Sequence, residues 1–269
     1  MNSMVTELPV FLTPKNLRPH LPLFVFLPGL DGTGQLLRTQ TDGLEVGFDV
    51  RCLAIPPNDQ TSWERLAAQV VELIKTELKK TSDRPVYLCG ESFGGCLALK
   101  VLAHQPSLFQ RVILVNPASA FRYNPLLVCS HSLVSLVPES IIHRSAAWLC
   151  PFLIQAGRVS IEDRHALLQA VHSVPKKTLL WRLSLLSEFV WQEEQLQQIK
   201  QPVLLVAGGA DQLLPSVSEV YRIANHIPTQ KVVVLSHSGH ACLLEKEVNL
   251  YQIMQDHHFI EELSAVGQH

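Results

Sequence analysis

The chain has 269 residues, of which 47% are hydrophobic and only 17% charged, with a formal net charge of −2 at pH 7. That balance supplies one deep core and offers no basic field for nucleic acid. No apolar run reaches the ~18 residues that a membrane-spanning helix needs.

Residues 1–20 read as irregular, because Pro9, Pro14 and Pro19 interrupt any regular element. Leu23-Phe24-Val25-Phe26-Leu27 is an uninterrupted apolar run of strand length, suited to a parallel strand covered on both faces. It stops at the glycine-rich loop Pro28-Gly29-Leu30-Asp31-Gly32-Thr33-Gly34, after which a helix is expected over 35–45. A second strand covers 50–55 and ends at Pro56-Pro57. Ser62 then caps an amphipathic helix over 63–80, with Leu66, Val70, Leu73, Ile74 and Leu78 on one face.

Pro85 opens a third strand that runs into Gly90-Glu91-Ser92-Phe93-Gly94, and helix-forming residues follow at once. The next strand is 111–115, ending at Asn116-Pro117. Between 118 and 198 the rhythm breaks: no convincing strand occurs, and helical patterns cover 126–137, 141–155, 161–172 and 177–190. A strand at 203–207, a helix near 216–226, a strand at 231–235 and a final helix near 243–257 close the chain. Alternating buried strands and helices predict a doubly wound, mostly parallel α/β sheet. Residues 1–117 and 199–269 form its core, and 118–198 form an inserted helical cap.

The stretch 85–99 organises the rest. Gly-x-Ser-x-Gly between a strand and a helix puts the serine on a turn so sharp that only glycine fits two residues to either side. Ser92 is thereby held above the carboxyl end of its strand, facing the free N–H groups of the next helix. A hydroxyl becomes a nucleophile when a base takes its proton and a third group orients that base. In this topology the acid and then the histidine follow the serine, each after a later strand. Asp211, in Gly208-Gly209-Ala210-Asp211-Gln212, is the acid candidate; the other loop that can supply an acid carries Asn116.

Two histidines compete for the base in Ser236-His237-Ser238-Gly239-His240. His240 is preferred, because it follows a glycine and opens the last helix, whereas His237 directly follows the strand. Donors for a developing oxyanion are expected from the backbone N–H groups of Phe93 and of Leu30 in the first glycine loop. Asp31 is read as a cap or a loop-bonding residue. No metal-ligand spacing is visible, and no metal or organic cofactor is expected.

Taken together, these residues resemble the α/β-hydrolase superfamily over nearly the whole chain. The combination of residues 26–34 with Gly90-Glu91-Ser92-Phe93-Gly94-Gly95 looks like the hydrolase half of the plant and cyanobacterial phytyl ester synthase group, which moves fatty acyl groups onto phytol and diacylglycerol. Members of that group carry a second, acyltransferase domain, and this sequence stops at His269, so the resemblance implies a stand-alone lipid esterase or thioesterase. The implied chemistry is a serine hydrolase acting on apolar carboxylic esters or thioesters through an acyl-enzyme on Ser92. The alternatives are an acyltransferase making fatty esters of a long-chain alcohol, and a non-catalytic ligand receptor on the same fold.

Trp148, Phe152 and Trp181 stand in the apolar patterns of the insertion and are expected to line the substrate cleft. The expected partner is a small apolar acyl ester or thioester and not a nucleic acid, and the apolar insertion is compatible with peripheral contact with membrane lipid. The N-terminus has neither the pattern of a secretory leader nor the Arg- and Ser-rich character of a transit peptide. Six cysteines without Cys-x-x-Cys spacing, several of them in apolar runs, read as reduced core thiols. A cytoplasmic protein is therefore expected.

Overall fold

Five consecutive apolar residues leave no face of a strand for solvent, so the run at 23–27 has to be covered on both sides. A computed structural model describes residues 7–80, 84–138, 141, 150–155 and 157–261 of the chain. Its strands are β1 (Val10–Leu12), β2 (Leu23–Leu27), β3 (Asp49–Ala54), β4 (Val86–Glu91), β5 (Arg111–Val115), β6 (Val203–Gly208) and β7 (Gln230–Leu235). They form one sheet in the order β1-β3-β2-β4-β5-β6-β7, parallel except for β1, which pairs antiparallel with β3. Leu23, Val25 and Leu27 of β2 pack into one buried cluster, while Phe24 and Phe26 enter another on the opposite face. That alternation is the period of two inherent to a strand.

The helices are α1 (Thr41–Leu44), α2 (Trp63–Leu78), α3 (Phe93–His104), α4 (Pro125–Leu136), α5 (Ile161–His172), α6 (Lys176–Glu188), α7 (Glu193–Gln197), α8 (Ser216–Ala224) and α9 (Leu250–Asp256). Ser62 caps α2 by accepting from the N–H of Arg65. The buried side of α2 carries Trp63, Leu66, Ala67, Val70, Val71 and Ile74, the i, i+3, i+4 stripe of an amphipathic helix. Between β5 and β6 the described residues contain no strand.

The register levels the carboxyl ends of the central strands. Leu27 lies beside Gly90, Glu91 beside Val115, and Gly208 beside Leu235. Five loops leave that edge, carrying Leu30, Ser92, Asn116, Asp211 and His240. Strand order reverses between β2 and β4, and ligands on open α/β sheets bind at such a switch point.

Three expectations need correction. The segment read as irregular contains β1, whose three residues between Pro9 and Pro14 are too short to show a pattern. The helix expected over 35–45 shrinks to α1. The buried Gln40 side chain donates to the carbonyls of Leu243 and Val248 and accepts from the Leu250 N–H, pinning a series of turns in place of a helix. The last helix is split into a 3₁₀ turn at Cys242–Leu244 and α9, because Glu245 turns inward and Asn249 caps α9. His240 therefore sits in a loop and does not open a helix. The pattern at 141–155 falls largely outside the described residues, where 150–153 are helical.

Candidate active site

At the end of β4 the chain turns into α3 through Ser92, whose backbone adopts φ 54° and ψ −115°. A non-glycine residue held there costs about 1–3 kcal/mol and persists only where its surroundings over-determine it. Here the surroundings do so: the Ser92 N–H donates to the Val115 carbonyl at 3.0 Å, and α3 is buried along most of its length. A Cβ at Gly90 would run into the carbonyl of Gly94, and one at Gly94 into the carbonyl of Leu27. Both positions therefore require glycine. Phe93 stacks on Trp63 with ring centroids 4.6 Å apart, fixing the first turn of α3.

Two ring nitrogens of one imidazole connect this turn to a carboxylate. His240 Nε2 lies 2.8 Å from Ser92 Oγ, and His240 Nδ1 lies 2.8 Å from Asp211 Oδ2. Asp211 Oδ1 accepts from the backbone N–H groups of Leu213 at 2.8 Å and Leu214 at 3.1 Å. Burial works to raise the Asp211 pKa, but hydrogen bonds from His240, Ser216 and Leu214, with the charge of His240, hold it below the ordinary carboxylate value. This imidazole is buried, its ring shielded from bulk water. His237, the competing histidine, is exposed beside the loop.

The loop around His240 is held from three directions. Asn116, fully buried at φ 43°, accepts from the Gly208 N–H at 2.7 Å and donates to the His240 carbonyl at 2.6 Å. Glu245, also fully buried, accepts from the Gly239 N–H at 2.8 Å and from Arg158 Nε at 2.6 Å. The Ala241 N–H donates to the Leu153 carbonyl at 2.8 Å, so the segment between β5 and β6 contacts the loop directly.

On the other side of Ser92 runs the Gly29-Leu30 loop; a Cβ on Gly29 would stand 3.9 Å from the Ser92 Cβ. Among the described residues the N–H groups of Phe93 and Leu30 donate to no other group. Asp31 bonds within its loop, accepting from the Thr33 N–H at 2.8 Å. Burial raises its pKa, against the hydrogen bonds of Thr33 and the charge of Arg182. Glu91, beside the serine, is buried with one oxygen unpartnered among the described residues. Burial, with the nearby charge of Asp31, pushes its pKa up to about 8, so it carries a proton at neutral pH.

Of the aromatic residues expected at the cleft, Trp148 lies outside the described residues. Phe152 is half-exposed, one residue before the Leu153 carbonyl that meets the His240 loop. Trp181 donates its indole N–H to the Thr61 carbonyl at 2.9 Å and packs against the main core. The residues that sequence reasoning passed over are Asn116 as a bridge, Arg158, Glu245 and Arg182. Only Arg182 had a local signal, a lone cation amid the apolar residues 179–186. Among the described residues no group of three or more His, Cys, Asp or Glu side chains is placed to hold a metal ion, and no helix is long and apolar enough to cross a membrane. The described cysteines are free thiols; Cys129 is exposed, while Cys52, Cys89, Cys96 and Cys242 are buried.

Known proteins with similar sequences and folds agree with this architecture. Phytyl ester synthase 1, chloroplastic, of Arabidopsis thaliana is 32% identical over 258 residues, an alignment covering 87% of this chain and 36% of that protein. Phytyl ester synthase 2 of the same plant is 30% identical, covering 87% of this chain and 37% of its own length. The chain thus spans little more than a third of the length of these relatives. A thermophilic esterase from Thermogutta terrifontis superposes with a TM-score of 0.75 at 19% identity, covering 93% of each chain, which speaks for the fold alone. The family model described as serine aminopeptidase, S33, matches residues 57–247, from before the Ser92 turn to beyond His240. The chain belongs to that family of serine hydrolases, built on the α/β-hydrolase fold.

Proposed function

We propose that Ser92, His240 and Asp211 are the catalytic triad of a serine esterase. It cleaves apolar carboxylic esters or thioesters, or transfers their acyl groups, through an acyl-enzyme on Ser92. The observation that carries this reading is the single imidazole with Ser92 Oγ and Asp211 Oδ2 each 2.8 Å from one of its nitrogens, below a strained nucleophile turn. In that arrangement His240 Nδ1–H donates to Asp211, leaving Nε2 to accept the serine proton.

His240 takes the proton as Ser92 Oγ attacks the carbonyl carbon. The N–H groups of Leu30 and Phe93 receive the oxyanion. The tetrahedral species collapses when His240 hands its proton to the leaving alcohol or thiol, and Asp211 stabilises the transient imidazolium. Water or an alcohol, deprotonated by the same imidazole, then attacks the acyl-enzyme and releases acid or ester.

Residues 118–198 serve as a cap over this edge of the sheet, with Phe152 and Trp181 bordering the acyl chain and Trp148 assigned there on its sequence position alone. Ala241's bond to Leu153 and Arg182's bond to Leu30 support that placement, since both tie the insertion to loops of the site. The exposed Leu126, Leu133 and Leu136 of α4 give the cap an apolar outer face, which favours substrates drawn from lipid.

Acyl transfer remains a second reading because the curated relatives named above are called ester synthases. The deciding experiment offers the purified protein a p-nitrophenyl octanoate donor in water, with and without a long-chain alcohol. Hydrolysis that falls at least ~10³-fold in Ser92→Ala supports the esterase. Accumulation of the long-chain ester in preference to free acid shifts the reading to a transferase. Wild-type protein that consumes no donor under either condition would leave only a binding role.

A further inference from the structure

Helix α6 opens on Lys176 and Lys177, and its third cation, Arg182, stands in the middle of the helix and is only 2% exposed. Burying a guanidinium costs several kcal/mol unless its donors are taken up, so packing alone does not account for it. Its partners are not on its own helix. Nη1 donates to the Leu30 carbonyl at 2.7 Å, and Nη2 reaches toward the Pro56 carbonyl at 3.4 Å. Burial lowers the Arg182 pKa, while the charges of Asp31 and Asp59 oppose that effect.

The loop it meets is shaped to receive it. Gly32 sits at φ +70°, and a Cβ there would stand 2.7 and 2.8 Å from the two terminal nitrogens of Arg182. The bare Cα of Gly32 thus forms the floor of the guanidinium seat. The turn is closed by the Gly32 N–H on the Gly29 carbonyl at 3.0 Å and anchored by the Ile55 N–H on the Gly32 carbonyl at 2.8 Å. Gly29 is the residue of this turn that passes beside Ser92, and Leu30 follows it. The Arg182 fork bridges the Pro56 and Leu30 carbonyls, and Nη1 thereby holds the peptide next to the one whose N–H is assigned to the oxyanion.

We propose that Arg182 is a positioning residue. Delivered by the insertion, it clamps the Gly29–Gly32 turn so that the Leu30 N–H is preorganised for the oxyanion. The proposal rests on the esterase reading and deepens it, because it makes the insertion part of the oxyanion site as well as a cover. It also accounts for the glycine at position 32 of Pro28-Gly29-Leu30-Asp31-Gly32, because a side chain there would occupy the guanidinium seat.

The test compares wild type with Arg182→Met, Arg182→Lys, Gly32→Ala and the Gly32→Ala/Arg182→Met double variant. A displaced donor costs turnover and not ground-state binding, so Arg182→Met should lose roughly 10–100-fold in kcat with KM little changed. Affinity for a long-chain trifluoromethyl ketone, which forms an oxyanion on the serine, should fall by a similar factor. Arg182→Lys, which keeps charge but not the fork, should recover part of the loss. The double variant should lose clearly less than the two single losses combined, because both changes empty the same seat and only the strain of alanine at φ +70° is added. Hydrogen exchange at the Gly32 amide should accelerate in Arg182→Met.

If Arg182→Met does not fold, Arg182→Lys and Gly32→Ala carry the same readouts. Unchanged kcat and inhibitor affinity in folded variants would overturn the proposal, as would a loss confined to melting temperature or fully additive effects in the double variant. A wild-type protein that hydrolyses no ester would overturn the esterase reading instead. In that case unaltered exchange over residues 28–34 in Arg182→Met would separately dispose of the clamp.

Discussion

The side-chain amide of Asn116 donates to the carbonyl of His240 at 2.6 Å. Its oxygen accepts from the Gly208 N–H, so one side chain ties the end of β6, three residues before Asp211, to the loop that bears the imidazole. The amide can serve in only one orientation, because one neighbour donates and the other accepts. The spacing between Asp211 and His240 is therefore set from beneath by a residue that bonds the backbone of their two loops.

Asn116→Asp keeps the shape but places a carboxylate oxygen against the His240 carbonyl. The loop should be pushed out of register, lowering kcat by roughly 10–100-fold, the scale of an ångström of misplacement. Asn116→Ala leaves two buried backbone groups without partners, a cost of about 1–3 kcal/mol each. Chemical denaturation and steady-state kinetics on the two variants check both parts. A variant with wild-type turnover would show that the bridge does not set the spacing.

Asp211→Asn should fold, since the amide oxygen can still accept from Leu213 and Leu214, but it imposes the wrong tautomer on His240. Turnover should fall by about 10⁴. The carboxylate's lowered pKa also makes a stability statement. It contributes stability above the ordinary Asp value, and that contribution disappears as pH falls through the folded value. The acid limb of a melting-temperature profile should therefore be shallower in Asp211→Asn than in wild type.

Glu91 has the opposite sign. Its pKa rises from 4.5 to about 8 on folding, so between those values the folded chain holds a proton that the unfolded chain has lost. Stability contributed by the neutral form is fully present below the unfolded value and is lost as pH rises through that window. Glu91→Gln should abolish this dependence. The gap in melting temperature between the variant and wild type should widen from pH 5 to pH 9, at about 2–4 °C per kcal/mol for a chain of this size. A constant gap across that range would mean that Glu91 is ionised in the folded protein.

Chain-length preference reports on the cap. Each methylene buried beside Phe152 and Trp181 is worth about 0.8 kcal/mol, so kcat/KM should climb steeply along a series of p-nitrophenyl esters toward eight carbons or more, roughly. An optimum at acetate with loss beyond butyrate would remove apolar acyl esters from consideration.

The sheet was legible because buried parallel strands leave continuous apolar runs, as at 23–27, 112–115 and 203–207. Ser92 was legible because its turn demands Gly90 and Gly94. The meeting of Asp211 and His240 beside Ser92 was signalled by their places after β6 and β7. The rest hid in pairings without local pattern. Val10–Leu12 becomes a strand only by lying against β3. Gln40 replaces an amphipathic helix with a pin to the Leu243–Leu250 segment, some two hundred residues away in sequence. Asn116 read as a missing carboxylate, whereas the structure makes it a bridge. Arg158 with Glu245, and Arg182 with Leu30, join residues 87 and 152 positions apart, a relation no window along the chain contains.

The central claim is that Ser92 carries the acyl group. The direct measurement is to mix the protein with p-nitrophenyl octanoate, quench in acid within the first turnover, and locate added mass by peptide mass spectrometry. The account predicts an octanoyl increment on the peptide containing Ser92, absent in Ser92→Ala and slowed by orders of magnitude in His240→Ala. Ester consumption by Ser92→Ala at the wild-type rate, or the increment on another residue, would contradict it.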